Sequence, residues 1–342
     1  MVRTFITLIL LAASLCAKQN YDVLSLSSAI IDHCFLVSDK ELEAIGADKG
    51  GWAPIDHATL SSYLGKNFVR KKICSGGSGI NVLKGLASLG QKCAVIGKIG
   101  SDDMGQSFTQ MIENLGIFSL LQKGPLPTGQ ALCFITPDGE RTFRTYLGAS
   151  HSLGDLTIDA SLFRKIKLFH IEGYQLVERE LFTKAMDVAT SVGATISIDL
   201  ANVELVKRNK EFILSQLPRI DILFANEHEA KELTGLPASQ AADALSKHCR
   251  IAVVTMSEKG CWVQSGKESF FTPALPVPTL DSTGAGDLFA AGFLHGYLTR
   301  QPLEKCACLG ALIASRVVTV IGADIPFSIW GELATHPLLQ NE

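Results

Sequence analysis

The stretch Asp281-Ser-Thr-Gly-Ala-Gly-Asp287 is the part of this sequence best equipped for chemistry. Gly284 and Gly286 carry no Cβ, so the backbone there can come close to an anion. An apolar run from Leu288 predicts a helix over Gly284 to Thr299. The N-terminus of a helix presents free N–H groups and the positive end of its dipole. The backbone of Gly284, Ala285 and Gly286 can therefore act as an anion hole. Such a hole suits a phosphoryl group, whose charge spreads over its oxygens during transfer. Asp287 stands at the rim, where a carboxylate can take the proton of an attacking hydroxyl. An Asp N-cap on an ordinary loop-to-helix turn would also account for Asp287 taken alone. The full heptapeptide is far more specific than a lone G-x-G.

These residues need a frame to hold them. Tyr21 to Ile31 reads as a buried strand ending at Asp32. Ser75-Gly-Gly-Ser78 opens a helix over Asn81 to Leu89, and Cys93 to Gly97 follows as a strand. Asp103 to Asn114 is helical and stops at Gly116. Thr128 to Tyr146 alternates around a Pro137-Asp138-Gly139 turn, a β-hairpin signal. Strands over Lys167–Ile171, Thr195–Asp199, Ile220–Ala225 and Ile251–Thr255 then alternate with helices over Glu178–Val192 and Glu227–Thr234. Helices over Gly284–Thr299 and Leu303–Val320 complete the series. This alternation predicts one doubly wound α/β domain over 21–330, its mostly parallel sheet flanked by helices. Segments 35–63 and 128–146 fall outside the alternation and are expected to form a small β lid. Residues 331–342 are expected to be a tail.

With 342 residues, 47% apolar and 19% charged, the chain can bury a large core. A net charge of -3 gives no electrostatic footprint for nucleic acid. The nine cysteines are irregularly spaced and include no C-x-x-C, so neither a zinc ribbon nor a redox motif is indicated. Arg3 followed by an apolar run from Phe5 to Cys16 has the shape of a secretory signal, but it is short for a membrane span. Leu15 spoils the cleavage site, and a dispensable leader over 1–20 is the competing reading.

The Asp281–Asp287 heptapeptide resembles the C-terminal signature of the ribokinase (phosphofructokinase-B) family of carbohydrate and nucleoside kinases. The resemblance runs from Tyr21 to about Trp330. Ser75-Gly-Gly-Ser-Gly-Ile-Asn81, Gly85-Leu-Ala-Ser-Leu-Gly90 and Ile96-Gly-Lys-Ile-Gly100 are similar to the family's N-terminal signature. The resemblance implies a ribokinase-like fold and an ATP-dependent kinase with Asp287 as base. It implies that Gly76 and Gly77 let the backbone approach a sugar, and that Asn81 and Asp32 bond its hydroxyls. Asn226-Glu-His-Glu229 resembles a motif in which the Glu holds Mg²⁺ with its waters and the Asn lies near the nucleotide phosphates. A capped helix N-terminus would explain the same four residues. Thr255-Met-Ser-Glu-Lys-Gly260 resembles the nucleotide-binding Thr-x-Gly-x-x-Gly turn, with Ser257 replacing a glycine. Ser is strained there if the backbone angle is positive. Gly322-Ala323 matches a loop beside the nucleotide and, in some members, a potassium ion.

Gly139-Glu-Arg141-Thr-Phe-Arg144 resembles a lid segment of adenosine kinases, in which the Arg reaches the transferring phosphate. That points to Arg141, with a solvated strand face as the alternative for Arg141 and Arg144. Tyr174 stands where adenosine kinases carry an aromatic that stacks on the purine, and packing would explain it equally. Ser28 stands where members commonly carry Asn. The expected acceptor is a purine nucleoside, with a free sugar or sugar phosphate as the alternative. A catalytically silent sensor is a rival from another class. A Rossmann dehydrogenase is disfavoured because no G-x-G-x-x-G follows the first strand. No nucleic acid and no stable membrane association are expected. ATP and Mg²⁺ favour the cytoplasm, while the leader leaves secretion or organelle targeting open.

Overall fold

The computed structural model describes residues 20–340, so the apolar leader and Cys16 lie outside the described residues. In chain order the strands are β1 (Val23–Leu26), β2 (Ile30–Leu36), β3 (Trp52–Pro54), β4 (Val69–Gly76), β5 (Cys93–Gly100), β6 (Ile117–Gly124) and β7 (Gly129–Ile135). They continue with β8 (Arg141–Tyr146), β9 (Leu168–Glu172), β10 (Thr195–Asp199), β11 (Ile222–Asn226), β12 (Ile251–Thr255), β13 (Gly260–Ser265) and β14 (Glu268–Pro273).

Nine strands form the main sheet in the order β14-β13-β12-β11-β10-β9-β1-β5-β6. It is parallel from β12 to β6, and β13 and β14 add an antiparallel edge. The parallel strands are apolar on both faces because helices cover both. Phe182, Met186, Ile213 and Leu233 pack on one side, and Ile80, Leu83, Phe293 and Leu294 on the other. The expected doubly wound α/β architecture is thus present. The sequence reading had not assigned β6, β13 or β14, nor the helices over Val203–Gln216 and Ala238–Ser246.

The first predicted strand is two strands in two sheets. β1 ends at Leu26, and β2 starts at Ile30 in a separate five-stranded sheet ordered β3-β8-β7-β2-β4. The sequence hides the break because both halves are buried. Ser27 N–H still donates to Ile96 O of the main sheet, and Ser28 N–H turns to the Glu172 carboxylate. Asp32 therefore lies inside β2 of the second sheet, paired with Cys74 of β4 and Ala131 of β7, and does not end a main-sheet strand. The second sheet is also larger than segments 35–63 and 128–146, since β2 and β4 belong to it. It has its own core of Phe35, Leu60, Leu132 and Phe134.

The chain past Trp330 continues to pack. Leu333 is buried, and Leu338 and Leu339 rest on the Leu288, Leu312 and Val317 cluster. Residues 331–339 therefore belong to the packed body and are not a free tail. Among the described residues no helix is long and apolar enough to cross a membrane.

Candidate active site

A cavity of about 430 Å³ opens where the C-terminal ends of β9 to β12 face the second sheet. Open α/β sheets place ligands at this end of their strands. Of the residues singled out from sequence, the wall contains Asp32, Gly77, Asn81, Arg141, Tyr174, Asn226, Glu229, Thr255, Gly284, Ala285, Gly286 and Asp287. Gly76, Gly260 and Gly322 are not among the lining residues.

The Ala285–Leu298 helix packs very closely on the Ser78–Ser88 helix, because Gly85 meets Ala291 and Leu288 where a Cβ would clash at 2.5 Å. That approach brings Asp287 to its partners. Ser78 Oγ donates to its Oδ1 at 2.7 Å, and Asn81 Nδ2 donates to its Oδ2 at 2.9 Å. Asp287 is in the first turn and Gly284 is the N-cap, which excludes the N-cap explanation of Asp287. Burial pushes the Asp287 carboxyl above its ordinary value, while Asn81 and Ser78 pull it down.

Gly284 adopts φ +74° and contributes no side-chain cap to its helix. The first-turn backbone of Gly284, Ala285 and Gly286 therefore lines the cavity. A Cβ on Gly286 would meet nothing within 4 Å, so the space in front of it is open. The loop is held from below by Asp281, which is 0% exposed. Its Oδ1 accepts from Thr283 N and Oγ1 at 2.8 and 2.6 Å, and its Oδ2 accepts from Gly322 N at 2.8 Å. Gly322 thus anchors the anion loop. From β8, Arg141 crosses to the same loop, donating to Ser282 Oγ at 2.6 Å and Thr283 Oγ1 at 3.0 Å, with its Nε 3.5 Å from Asp281. Arg144 is not on a solvated face; it is buried and donates to Phe143 O.

At the other end stands Asp32. A Cβ on Gly76 would lie 2.3 Å from its carboxylate, so Gly76 makes room for Asp32. Gly77, at φ +102°, makes room for Ser28 O in the same way. Both glycines thus allow close packing within the protein, and Gly77 also lines the cavity. Burial raises the Asp32 carboxyl to about 7, and the nearby Lys84 only partly offsets it. Lys84 itself is bonded to Asp324 at 2.7 Å, to Asn81 Oδ1 at 3.1 Å and to Ser75 O. Tyr174 lies in the turn after β9, where Gly173 passes against Leu200 O. Ser28 Oγ accepts from Gln175 Nε2.

Asn226 and Glu229 form a reciprocal capping box, so the helix-cap reading of that motif holds, yet both line the cavity. Glu229 is buried close to Asp199, and burial pushes both carboxyls up, Glu229 to about 7. Asp199, Glu172 and Ser78 were missed from sequence. Asp199 and Glu172 end parallel strands β10 and β9, the signal that could have found them. Ser257 has φ +51°, the strained angle expected if it replaces a glycine. A Cβ on Gly260 would meet Thr272 O at 2.1 Å, so that glycine serves the β13–β14 pairing. Among the described residues no three His, Cys, Asp or Glu are arranged to hold a metal ion.

The model of the pfkB family carbohydrate kinases matches residues 69–330. The chain belongs to that family. This pfkB kinase is 33% identical to the solved adenosine kinase of Sinorhizobium meliloti, with a TM-score of 0.84 over 92% of this chain and 99% of that one. It is 28% identical to the cytidine kinase of Thermococcus kodakarensis over 73% of this chain and 89% of that protein. It is 30% identical to fructokinase-2 of Solanum lycopersicum over 70% and 81% respectively. As a pfkB kinase it is an ATP-dependent sugar or nucleoside kinase, and the anion loop at Gly284–Asp287 falls within the matched segment.

Proposed function

We propose that this pfkB kinase phosphorylates a hydroxyl of a purine nucleoside, with Asp287 as the base. The observation that carries this is the placing of the Asp287 carboxylate beside an uncapped helix N-terminus, in one cavity with Asp32 and Tyr174. The acceptor O–H gives its proton to Asp287 as its oxygen bonds the γ-phosphorus. The bond from that phosphorus to the bridging oxygen breaks, and ADP leaves with those electrons. The amides of Gly284 to Gly286 and the Arg141 guanidinium receive the charge on the transferring oxygens. Asp32 accepts from the acceptor's vicinal hydroxyls, and Tyr174 stacks on its base.

The Glu229 and Asp199 carboxyls, buried together without a cation, suit a nucleotide that arrives with Mg²⁺, which needs few protein ligands. When bound, Mg²⁺ neutralises phosphate charge; Glu229, fixed by Asn226, would hold it through waters. The second sheet acts as a lid that excludes water once the acceptor is in place.

A kinase of free sugars or sugar phosphates is the second reading, favoured by the similarity to fructokinase-2. ADP release measured with nucleosides and sugars decides between them. Purine nucleosides should give the highest kcat/KM, and Tyr174→Ala should raise their KM and leave that for ATP nearly unchanged. Turnover of sugars alone would replace the nucleoside reading by the second one. No ADP release with any acceptor would leave a silent sensor.

A further inference from the structure

Five carboxylates line the cavity, those of Asp32, Glu172, Asp199, Glu229 and Asp287, against one cationic side chain, Arg141. Arg141 is committed to the anion loop, and Lys84, behind the wall, to Asp324. Glu172 stands out because the proposed chemistry does not use it. It is 0% exposed and ends β9 beside Tyr174. Among the described residues it forms no ion pair. Its Oε1 accepts from Ser28 N at 2.7 Å and Gln175 Nε2 at 2.9 Å, and its Oε2 accepts from Gly79 N at 2.8 Å.

Gly79 lies in the first turn of the eleven-residue Ser78–Ser88 helix, whose N-cap Gly77 supplies no side-chain cap. A helix start of this kind attracts anions. Two uncapped helix N-termini therefore meet this cavity, at Gly77 and at Gly284. The one at Gly284 fronts open space, and the one at Gly77 already holds the Glu172 carboxylate. Burial pushes the Glu172 carboxyl up, and this is opposed by donors that suit the ionised form: the Ser28 hydroxyl and amide, the Gly79 amide and the Gln175 side chain.

We infer that Glu172 is a specificity-determining residue: it fills, from within the protein, the anion position at the start of the Ser78–Ser88 helix, so that the acceptor end of the cavity takes uncharged acceptors and refuses those carrying a phosphate or carboxylate. The inference rests on reading the cavity as a kinase acceptor site, and it narrows that reading to nucleosides and free sugars. An anionic group entering beside Tyr174 would meet the charges of Glu172 and Asp32 in a site with no free cation, where screening by solvent is weak. Removing the Glu172 charge would leave the side chain in place but lift its repulsion of such a group.

The test measures ADP release by the full chain with two sets of acceptors. Adenosine, cytidine, ribose and fructose are uncharged; ribose 1-phosphate, fructose 6-phosphate and gluconate are anionic. Wild type should turn over members of the first set only. Glu172→Gln should raise kcat/KM for an anionic acceptor relative to its uncharged counterpart by about tenfold or more. Wild-type turnover of an anionic acceptor at the rate of the best uncharged one overturns the inference, as does an unchanged ratio in the folded variant. Should Glu172→Gln not fold, wild type still decides. Fructose 6-phosphate and gluconate should inhibit the best uncharged acceptor only at concentrations at least about tenfold above its KM, and inhibition at or below that KM overturns the inference. If no acceptor is turned over, the kinase reading fails by itself. Calorimetry then separates the two claims: ribose bound well ahead of ribose 1-phosphate supports the role of Glu172, and equal binding refutes it.

Discussion

Asn81 Nδ2 donates to Asp287 Oδ2 across 2.9 Å and so fixes the carboxylate that faces the anion loop. Asn81, which the family resemblance gave to sugar hydroxyls, orients the carboxylate proposed as the base, and its own Oδ1 is held by Lys84 at 3.1 Å. Ser78 takes the other carboxylate oxygen, and each oxygen keeps a lone pair for an incoming hydroxyl. Asp287→Asn should therefore keep ATP binding and lose roughly 10²–10⁴-fold in kcat. Turnover at saturating substrates, beside an ATP titration, checks this. Wild-type turnover would remove Asp287 from the mechanism.

Two glycines in the same loop should fail in different ways. A Cβ on Gly284 would sit 2.6 Å from Ala323 Cβ at a backbone angle of +74°, so Gly284→Ala should destabilise the fold by about 1 kcal/mol or more. A Cβ on Gly286 meets no protein atom and would project into the space kept for phosphoryl oxygens. Gly286→Ala should melt within about 1 °C of wild type and lose on the order of 10²-fold in kcat. Thermal melts and turnover measured on both variants test the contrast, and equal loss of stability in the two would defeat it.

Asp32 should set opposite pH trends for stability and acceptor binding. Its carboxyl is raised from an ordinary 3.8 to about 7, chiefly by burial. Above pH 7 it is charged in the folded protein, and that charge destabilises the fold. As pH falls from about 7 toward 4, the folded state takes up the proton first and gains stability. Asp32→Asn should accordingly melt higher than wild type at pH 8, by a few degrees, and match it near pH 4. In wild type the acceptor KM should rise as pH falls below about 7, because a protonated Asp32 accepts fewer hydroxyl bonds. A melting difference that does not change with pH would show that Asp32 titrates normally.

Arg141 ties the second sheet to Ser282 and Thr283. Those bonds hold its guanidinium next to the anion loop, where it can turn to the phosphate during transfer. Arg141→Ala should lower kcat roughly 10-fold or more, and weaken acceptor binding much less. Amides in residues 128–146 should gain protection from hydrogen exchange when acceptor is added without ATP. Identical exchange with and without every accepted substrate would mean that the sheet is not a lid.

What the sequence decided by itself is the local chemistry and most of the main sheet. The glycines of 284–287, the capping pair Asn226 and Glu229, and the periodic strands and helices from Lys167 onward are short-range patterns, and short-range sterics and hydrogen bonding determine them. The helices over 103–114 and 227–234 and the strands over 195–199 and 251–255 have the bounds expected from their patterns. What the tertiary structure alone decided are partnerships between segments far apart in the chain. In the run from Tyr21 to Ile31 a serine occurs inside β1 at Ser25 as well as at Ser27 and Ser28, so local polarity does not mark where β1 ends. The break is made by Glu172, some 144 residues away, which takes the Ser28 amide. For the same reason Asp32 passed from the main sheet to the second one, and the bond from Asn81 to Asp287, 206 positions away, could not be read from sequence. A hydrogen bond depends on where two chains meet in space, and that meeting is set by the packing of helices on a closed core, which no window of the sequence contains.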